Sequence, residues 1–163
     1  MLHVIKSKFA YFFLLLLGVA FITSCEDDIQ KRIDQQKAAD ESSIQAYLTA
    51  NNITNAQRQP SGLYYVPQIP GTGNKIQKGN SVRMHYIGRY IYGTKYESTY
   101  DIGQPRLISK VGSGEVIKGW DEGLQLMSLN ETATLIIPSH LGYNTGYTTD
   151  VIRIMEINVL EVK

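Results

Sequence analysis

The sequence predicts an α+β domain in which a twisted antiparallel β-sheet is wrapped around one short α-helix. In SVRMHYIG (81–88), apolar and polar side chains alternate and put Val82, Met84 and Tyr86 on one face, the pattern of a half-buried strand. The final run VIRIMEINVLEV (151–162) alternates in the same way. The predicted strands lie close together with only one convincing helix among them, which favours an antiparallel sheet over repeated strand–helix–strand units.

Further strands are predicted from short apolar runs that lie between turn residues. GLYYV (62–66) and TATLIIP (132–138) read as strands, and the second stops at its proline, which cannot donate a ladder hydrogen bond. RYIYGTKYES reads as a hairpin that turns at Gly93. In the last strand, one face carries Met155, Ile157 and Val159. The folded domain is therefore predicted to span 61–163.

The single helix is predicted within VIKGWDEGLQLM (116–127), which contains the only tryptophan of the chain. Asp121 in the first turn suits the positive end of the helix dipole, and Gly123 permits close approach to the sheet. One face carries Trp120, Leu124 and Met127. Asn130 tolerates the left-handed conformation and is predicted to end the helix. Trp120 is expected to point between helix and sheet, at the mouth of the space between the two layers.

Residues 1–24 have the features of a secretory signal peptide. Lys6 and Lys8 precede an apolar run at 9–22, which is shorter than the about 20 residues that span a bilayer. Small residues then lead to Cys25, the only cysteine, which has no internal disulfide partner. The end of this segment, ITSC, resembles the lipobox of bacterial lipoproteins, in which the cysteine becomes the acylated first residue. The alternative is a soluble secreted protein with an incidental cysteine.

An acylated Cys25 predicts a protein that is anchored to a membrane without spanning it. Each buried acyl methylene contributes roughly 0.8 kcal/mol, so several acyl chains on one residue give stable anchoring. The expected location is the bacterial cell envelope, with the outer membrane favoured and the domain either periplasmic or exposed at the surface.

A polar spacer is predicted at 25–60, between the acylated cysteine and the domain. Its composition shifts to Asp, Glu, Gln, Lys, Ala, Ser and Asn. Ser42 or Asp40 is a candidate cap for a short helix. The apolar face of that helix would consist of Ile44, Tyr47 and Leu48. The spacer is interpreted as solvated with a short docked helix, and the alternative is a dimerising or partner-binding helix.

The charge balance argues against nucleic acid as a partner. The net charge is +1, and removal of 1–24 takes away two lysines and no acidic residue, which leaves 14 basic and 15 acidic residues. His85 and His140 do not have metal-ligand spacing, and no Ser-His-Asp or Cys-His pattern is present. No metal or cofactor is predicted.

Four segments, in order, resemble the FKBP-type peptidyl-prolyl cis-trans isomerases. VRMHYIG is similar to the family strand that ends in His-Tyr-x-Gly, and GTKYEST to its Gly-x-x-Phe-Asp-Ser segment. GSGEVIKGWDEGLQLM is similar to the long and specific signature Gly-x-x-x-Val-Ile-x-Gly-Trp-x-x-Gly. ATLIIPSHLGYN is similar to the strand before the family's Ala-Tyr-Gly turn. The resemblance covers 62–163 and extends to the exported, lipid-anchored members.

The resemblance implies an FKBP-like fold with a prolyl-binding pocket between the sheet and the helix. Trp120 would form the floor of the pocket, and Val116 and Ile117 its rim, with the Ile117 N–H donating to the bound peptide. The hydroxyl of Tyr143 would bond a substrate carbonyl. The aromatic walls would be Tyr86, Tyr96 and Tyr143. The implied substrates are proline-containing segments of exported proteins, and the protein is expected to be monomeric.

Several positions depart from the family pattern. Glu97 replaces aspartate, and its extra methylene is expected to displace a hydrogen bond to the substrate or to Tyr86. Leu107 and Met155 stand at loosely aligned positions where the family often has phenylalanine. Asn144 replaces a glycine, and the connection 144–150 is shorter than the loop that overhangs the pocket in many members. The predicted function is prolyl isomerisation, and the alternative is a catalytically weak chaperone or peptide-binding module of the cell envelope.

Overall fold

The structure, a computed structural model, describes residues 28–143 and 151–163. Three predictions lie outside the described residues: the signal peptide at 1–24, the acylation of Cys25, and the short connection at 144–150 with its first residue, Asn144. Among the residues described, no helix is both long and apolar enough to cross a membrane. The described residues include nearly all of the predicted domain.

The predicted antiparallel sheet is confirmed. The main sheet has the order β1-β2-β8-β9-β4-β5, with β6 also paired to β4, while β3 and β7 form a separate pair. All of these pairings are antiparallel. The strands are β1 (Gln57–Arg58), β2 (Tyr64–Ile69), β3 (Thr72–Lys75), β4 (Val82–Tyr90), β5 (Lys95–Ser98), β6 (Arg106–Ile108), β7 (Ser128–Leu129), β8 (Thr132–Ile137) and β9 (Arg153–Val162). The helices are α1 (28–50), α2 (Thr99–Ile102) and α3 (Lys118–Leu124), with a 3-10 turn at Ser139–Leu141.

Side-chain alternation places the core on one face of β4 and β9. Val82, Met84 and Tyr86 on β4 are buried, as predicted. On β9 the predicted residues Met155, Ile157 and Val159 are buried with them. The hairpin between β4 and β5 turns at Gly93, whose φ of 99° favours glycine. The pattern of the sequence therefore predicts both the strands and the face that they bury.

Two glycines bring α3 into close contact with β8. A Cβ atom at Gly119 would lie 2.5 Å from Cγ2 of Ile137, and one at Gly123 would lie 2.3 Å from Cδ1 of Leu135. Side chains larger than hydrogen at these positions would push the helix off the sheet. The contact fixes Trp120, which lies between the two glycines on the same helix.

The helix α3 ends earlier than predicted. Its predicted face is confirmed, since Trp120, Leu124 and Met127 are all buried, but Met127 lies beyond the last helical residue. Asn130 has a φ of 64°, yet it lies in the turn between β7 and β8. The prediction that Asn130 ends α3 is therefore wrong. Asparagine tolerates the left-handed conformation in tight turns of several kinds, so its presence does not identify a helix end.

The helix α1 is much longer than predicted, since it already includes 28, the first described residue, and neither Asp40 nor Ser42 caps it. Residues 28–38 belong to one compact unit and residues 39–163 to another. Within the second unit, Ile44 and Leu48 are buried in a cluster on the sheet. That cluster includes Tyr64, Val66, Ile136, Ile152 and Ile154. Residues 28–39 are mainly strong helix formers, which explains the length of the helix. The apolar face predicted from the sequence lies farther along the chain, so it did not indicate this part.

Asp40 connects α1 to the turn after β8. The Asp40 carboxylate is buried. It accepts hydrogen bonds from the backbone N–H of Ser139 at 2.7 Å and from the Ser139 hydroxyl at 2.6 Å. We expect Asp40→Ala to lower the free energy of unfolding by about 1–3 kcal/mol, because two buried donors lose their acceptor. Urea denaturation at neutral pH measures the change.

Asp34→Ala is the matched control, since Asp34 lies on the same helix, is exposed and accepts a local bond from Gln30. This control should change the unfolding free energy by less than about 0.5 kcal/mol. Equal effects of the two substitutions would show that the buried carboxylate contributes nothing.

Candidate functional site

A cavity of about 420 Å³ opens between the N-terminal end of α3 and the sheet. Its walls come from β4, β5, β6, the loop before α3, the first turns of α3 and the residues after the 3-10 turn. The lining residues are Tyr86, Glu97, Arg106, Gly114, Glu115, Val116, Ile117, Lys118, Trp120, Gly142 and Tyr143. The volume is within the range of sites that take small molecules or short peptide segments.

Trp120, the predicted floor of the pocket, lines this cavity and is buried. Its ring meets that of Tyr86 edge to face, with the centroids 4.8 Å apart and the planes at 74°. Within the described residues its buried Nε1 atom has no hydrogen-bond partner. The tryptophan therefore packs on the protein's own core on one side and lines the cavity on the other.

Tyr86 and Glu97 form one wall of the cavity. The Tyr86 hydroxyl donates a hydrogen bond to Oε1 of Glu97, which is exposed on β5. Burial and this hydrogen bond raise the pKa of Tyr86 well above its ordinary value, so the hydroxyl stays protonated and remains a donor. The bond to Tyr86 is thus present, although the glutamate is longer than the aspartate that the family resemblance implies.

The first turn of α3 holds the rim of the cavity. The carboxylate of Asp121 accepts hydrogen bonds from the N–H groups of Gly112 and Gly114, each at 2.8 Å. The carbonyl of Ile117 accepts from the N–H groups of Trp120 and Asp121 at 2.9 and 3.1 Å. Because the loop is fixed at both ends, the rim residues before α3 have a defined position.

Tyr143 also lines the cavity and is half exposed. The guanidinium of Arg153 lies over its ring, with Cζ 5.1 Å from the centroid. Arg153 is itself buried, and its Nη1 donates to the carbonyl of Val151 at 3.0 Å. The sequence indicates the inward orientation of Arg153. It lies two residues before Met155 on β9, so strand alternation puts both side chains on the same face.

Not every predicted site residue lines the cavity. Tyr86, Glu97, Val116, Ile117, Trp120 and Tyr143 line it together. Tyr96 and Met155 do not, and instead meet in the core, where the Tyr96 hydroxyl lies 3.0 Å from the sulfur of Met155. Leu107 is exposed and also does not line it. The roles of all these residues in binding a substrate stay predictions.

Strand alternation explains why Leu107 lies elsewhere. In β6, Arg106 and Ile108 face one side of the sheet and Leu107 the other. Arg106 pairs with the buried Met84 and lines the cavity, whereas Leu107 pairs with the exposed Arg83. Sequence analysis missed five lining residues: Arg106, Gly114, Glu115, Lys118 and Gly142.

The partly buried hydroxyl of Tyr96 predicts a pH dependence of stability. Burial raises its pKa from 10.0 to about 12, although the Arg153 charge acts in the opposite direction. The folded state then holds this proton more tightly than the unfolded chain does. The protonated hydroxyl therefore makes its full contribution to the free energy of unfolding below about pH 10. This contribution is lost as the pH rises from about 10 to about 12.

Urea denaturation of the protein and of Tyr96→Phe over that range measures the effect. Phenylalanine cannot ionise, so the free energy of unfolding should fall less steeply in the variant than in the unsubstituted protein. The other tyrosines and the lysines are common to both proteins and cancel in the difference. Equal slopes would contradict the raised pKa.

Comparison with known proteins agrees with this geometry. The family model for FKBP-type peptidyl-prolyl cis-trans isomerases matches residues 72–160. The chain is 43% identical over 86 residues to FK506-binding protein 1A of Neurospora crassa, across 52% of this chain and 71% of that protein. It is 32% identical over 141 residues to the FKBP-type peptidyl-prolyl cis-trans isomerase FkpA of Buchnera aphidicola, across 81% of this chain and 54% of that protein.

The fold is also shared with a solved structure. The crystal structure of FkpA from Escherichia coli superposes with a TM-score of 0.66 at 23% sequence identity, covering 88% of this chain and 68% of that one. The predicted fold class and enzyme class are confirmed. The family match spans more than half of the chain and includes the whole cavity lining, from Tyr86 to Tyr143. The chain therefore belongs to the FKBP-type peptidyl-prolyl cis-trans isomerase family.

Proposed function

We propose that the protein accelerates cis/trans isomerisation of X-Pro bonds in exported proteins, with the proline ring seated on Trp120. The observation that carries the proposal is the position of this tryptophan, which is buried at the base of an open cavity of about 420 Å³. Apolar contact comes from the indole ring and from Val116 and Ile117 at the rim. A proline-sized ring fits such a floor, and polar groups above it are available to a peptide backbone.

The reaction needs no bond to be made or broken. Rotation about a peptide bond faces a barrier of roughly 18–20 kcal/mol because it disrupts amide resonance, while the cis and trans forms of X-Pro are nearly balanced. The twisted amide has less charge separation than the planar one. The apolar surface formed by Trp120, Val116 and Ile117 therefore favours the twisted transition state over the planar ground state, and this difference in binding lowers the barrier.

Two polar groups orient the substrate in this proposal. The N–H of Ile117 donates to a peptide carbonyl, and the Tyr143 hydroxyl bonds a second one. Support for the first comes from the fixed loop before α3, in which the Ile117 carbonyl is already bonded to the first turn of the helix. Support for the second comes from the buried Arg153, which lies against the Tyr143 ring.

The proposal includes a lipid anchor in the cell envelope. Cys25 carries acyl chains after cleavage of the signal peptide at 1–24, and the protein is monomeric. The support is the basic start, the short apolar run and the lipobox-like ITSC. Membrane attachment to the outer membrane would present the domain to exported proteins, in the periplasm or at the surface. Mass spectrometry of the mature N-terminus tests this, because an acylated cysteine adds the mass of its lipid.

NMR exchange spectroscopy on a short Leu-Pro peptide, with the chain from residue 26 onward, tests the activity. We expect faster cis/trans exchange with the protein, and a loss of about tenfold or more in Trp120→Ala, which corresponds to about 1.4 kcal/mol of transition-state stabilisation. Trp120→Phe should retain more activity than the alanine variant, since it keeps an aromatic floor.

Tyr92→Ala is the matched control, because Tyr92 is an exposed aromatic residue that does not line the cavity. Its activity should equal that of the unsubstituted protein. If the peptide binds but its exchange rate is unchanged, the protein is a binding module and the proposal of catalysis is wrong.

A further inference from the structure

Two cationic side chains that line the cavity have no acidic partner among the described residues. Arg106 is exposed, and its guanidinium lies 5.8 Å from the centroid of the Trp120 ring. Lys118 is exposed at the start of α3. Within 28–143 and 151–163, neither side chain forms an ion pair. As far as the described residues are concerned, both can therefore pair with a charge on a bound molecule.

The two carboxylates that line the same cavity already hold protein donors. Glu97 accepts the hydroxyl of Tyr86, and Oε2 of Glu115 accepts the backbone N–H of Ser109 at 3.0 Å. The four formal charges cancel, but the acids are engaged with the cavity walls while the bases are not. A substrate that rests on Trp120 therefore comes close to the guanidinium of Arg106, which forms no ion pair among the described residues.

We propose that Arg106 selects substrates that carry a carboxylate side chain immediately beside the proline, with Lys118 adding to the attraction. This inference rests on the proposed function, because it places the proline on Trp120. A planar guanidinium bonds a carboxylate through two parallel N–H groups, and it stacks on the indole without losing them. A glutamate or aspartate next to a proline seated on Trp120 comes within reach of this group, whereas a lysine there is repelled.

The effect should be moderate and sensitive to salt. Exposed ion pairs are weak, and pairs that are partly shielded from water are stronger, so we expect Glu to be favoured over Lys by about 3- to 10-fold in kcat/KM. The ratio should move toward one at high ionic strength, because charges separated by solvent are screened. A residue with only a packing role would not produce that dependence.

The test compares peptides that carry Glu, Gln or Lys directly before the proline, and a second set with these residues directly after it. Exchange rates are measured by NMR, and affinities by the fluorescence of the single tryptophan. In at least one set, the preference for Glu over Lys should be present, should shrink at high salt, and should be lost in Arg106→Gln. Arg106→Lys should retain part of it.

Arg83→Gln is the matched control, with the same change in residue and charge. Arg83 is exposed, pairs in register with Leu107, and faces away from the cavity. It should leave the Glu-to-Lys ratio unchanged. A ratio of one in both sets, or an equal loss in both variants, would overturn the inference.

A Leu-Pro peptide separates this result from failure of the proposed function. No acceleration of Leu-Pro exchange would refute catalysis. The ratio of affinities for the Glu and Lys peptides would still decide whether Arg106 selects acidic sequences.

Discussion

The close contact between α3 and β8 is the constraint on which the functional cavity depends. Gly119 and Gly123 have no side chains, so the helix backbone lies directly against Ile137 and Leu135. At this distance Trp120, between the two glycines, can reach both the core and the cavity. Any larger side chain on that face would separate the layers and widen the pocket, at a cost in packing energy.

The remaining site geometry is built from hydrogen bonds that anchor flexible segments to this rigid contact. Asp121, in the first turn of α3, bonds the loop at Gly112 and Gly114, so the position of the helix determines the position of the rim. Tyr86 holds the Glu97 carboxylate on the neighbouring strand. A site with a preorganised floor and rim loses little conformational entropy when a peptide binds.

Local pattern in the sequence predicts the sheet well, because alternation and turn residues act over a few positions. It predicts contacts between distant segments poorly. The bond from Asp40 to Ser139 joins residues 99 positions apart, and nothing in either segment indicates it. The family resemblance predicts Leu107 in the pocket, whereas the alternation of side chains along β6 gives that position to Arg106. Site residues inside the long Val-Ile-x-Gly-Trp signature, by contrast, were placed at the cavity.

The central claim is that Trp120 is the surface on which a substrate proline rests. The chain has one tryptophan, so its indole N–H gives a single resolved NMR signal. The most direct measurement is the nuclear Overhauser effect between that indole and the proline ring of an added Leu-Pro peptide. We expect contacts from the proline ring protons to the indole, with a shift of the N–H signal. Contacts from the proline to other residues, with an unchanged indole signal, would contradict it.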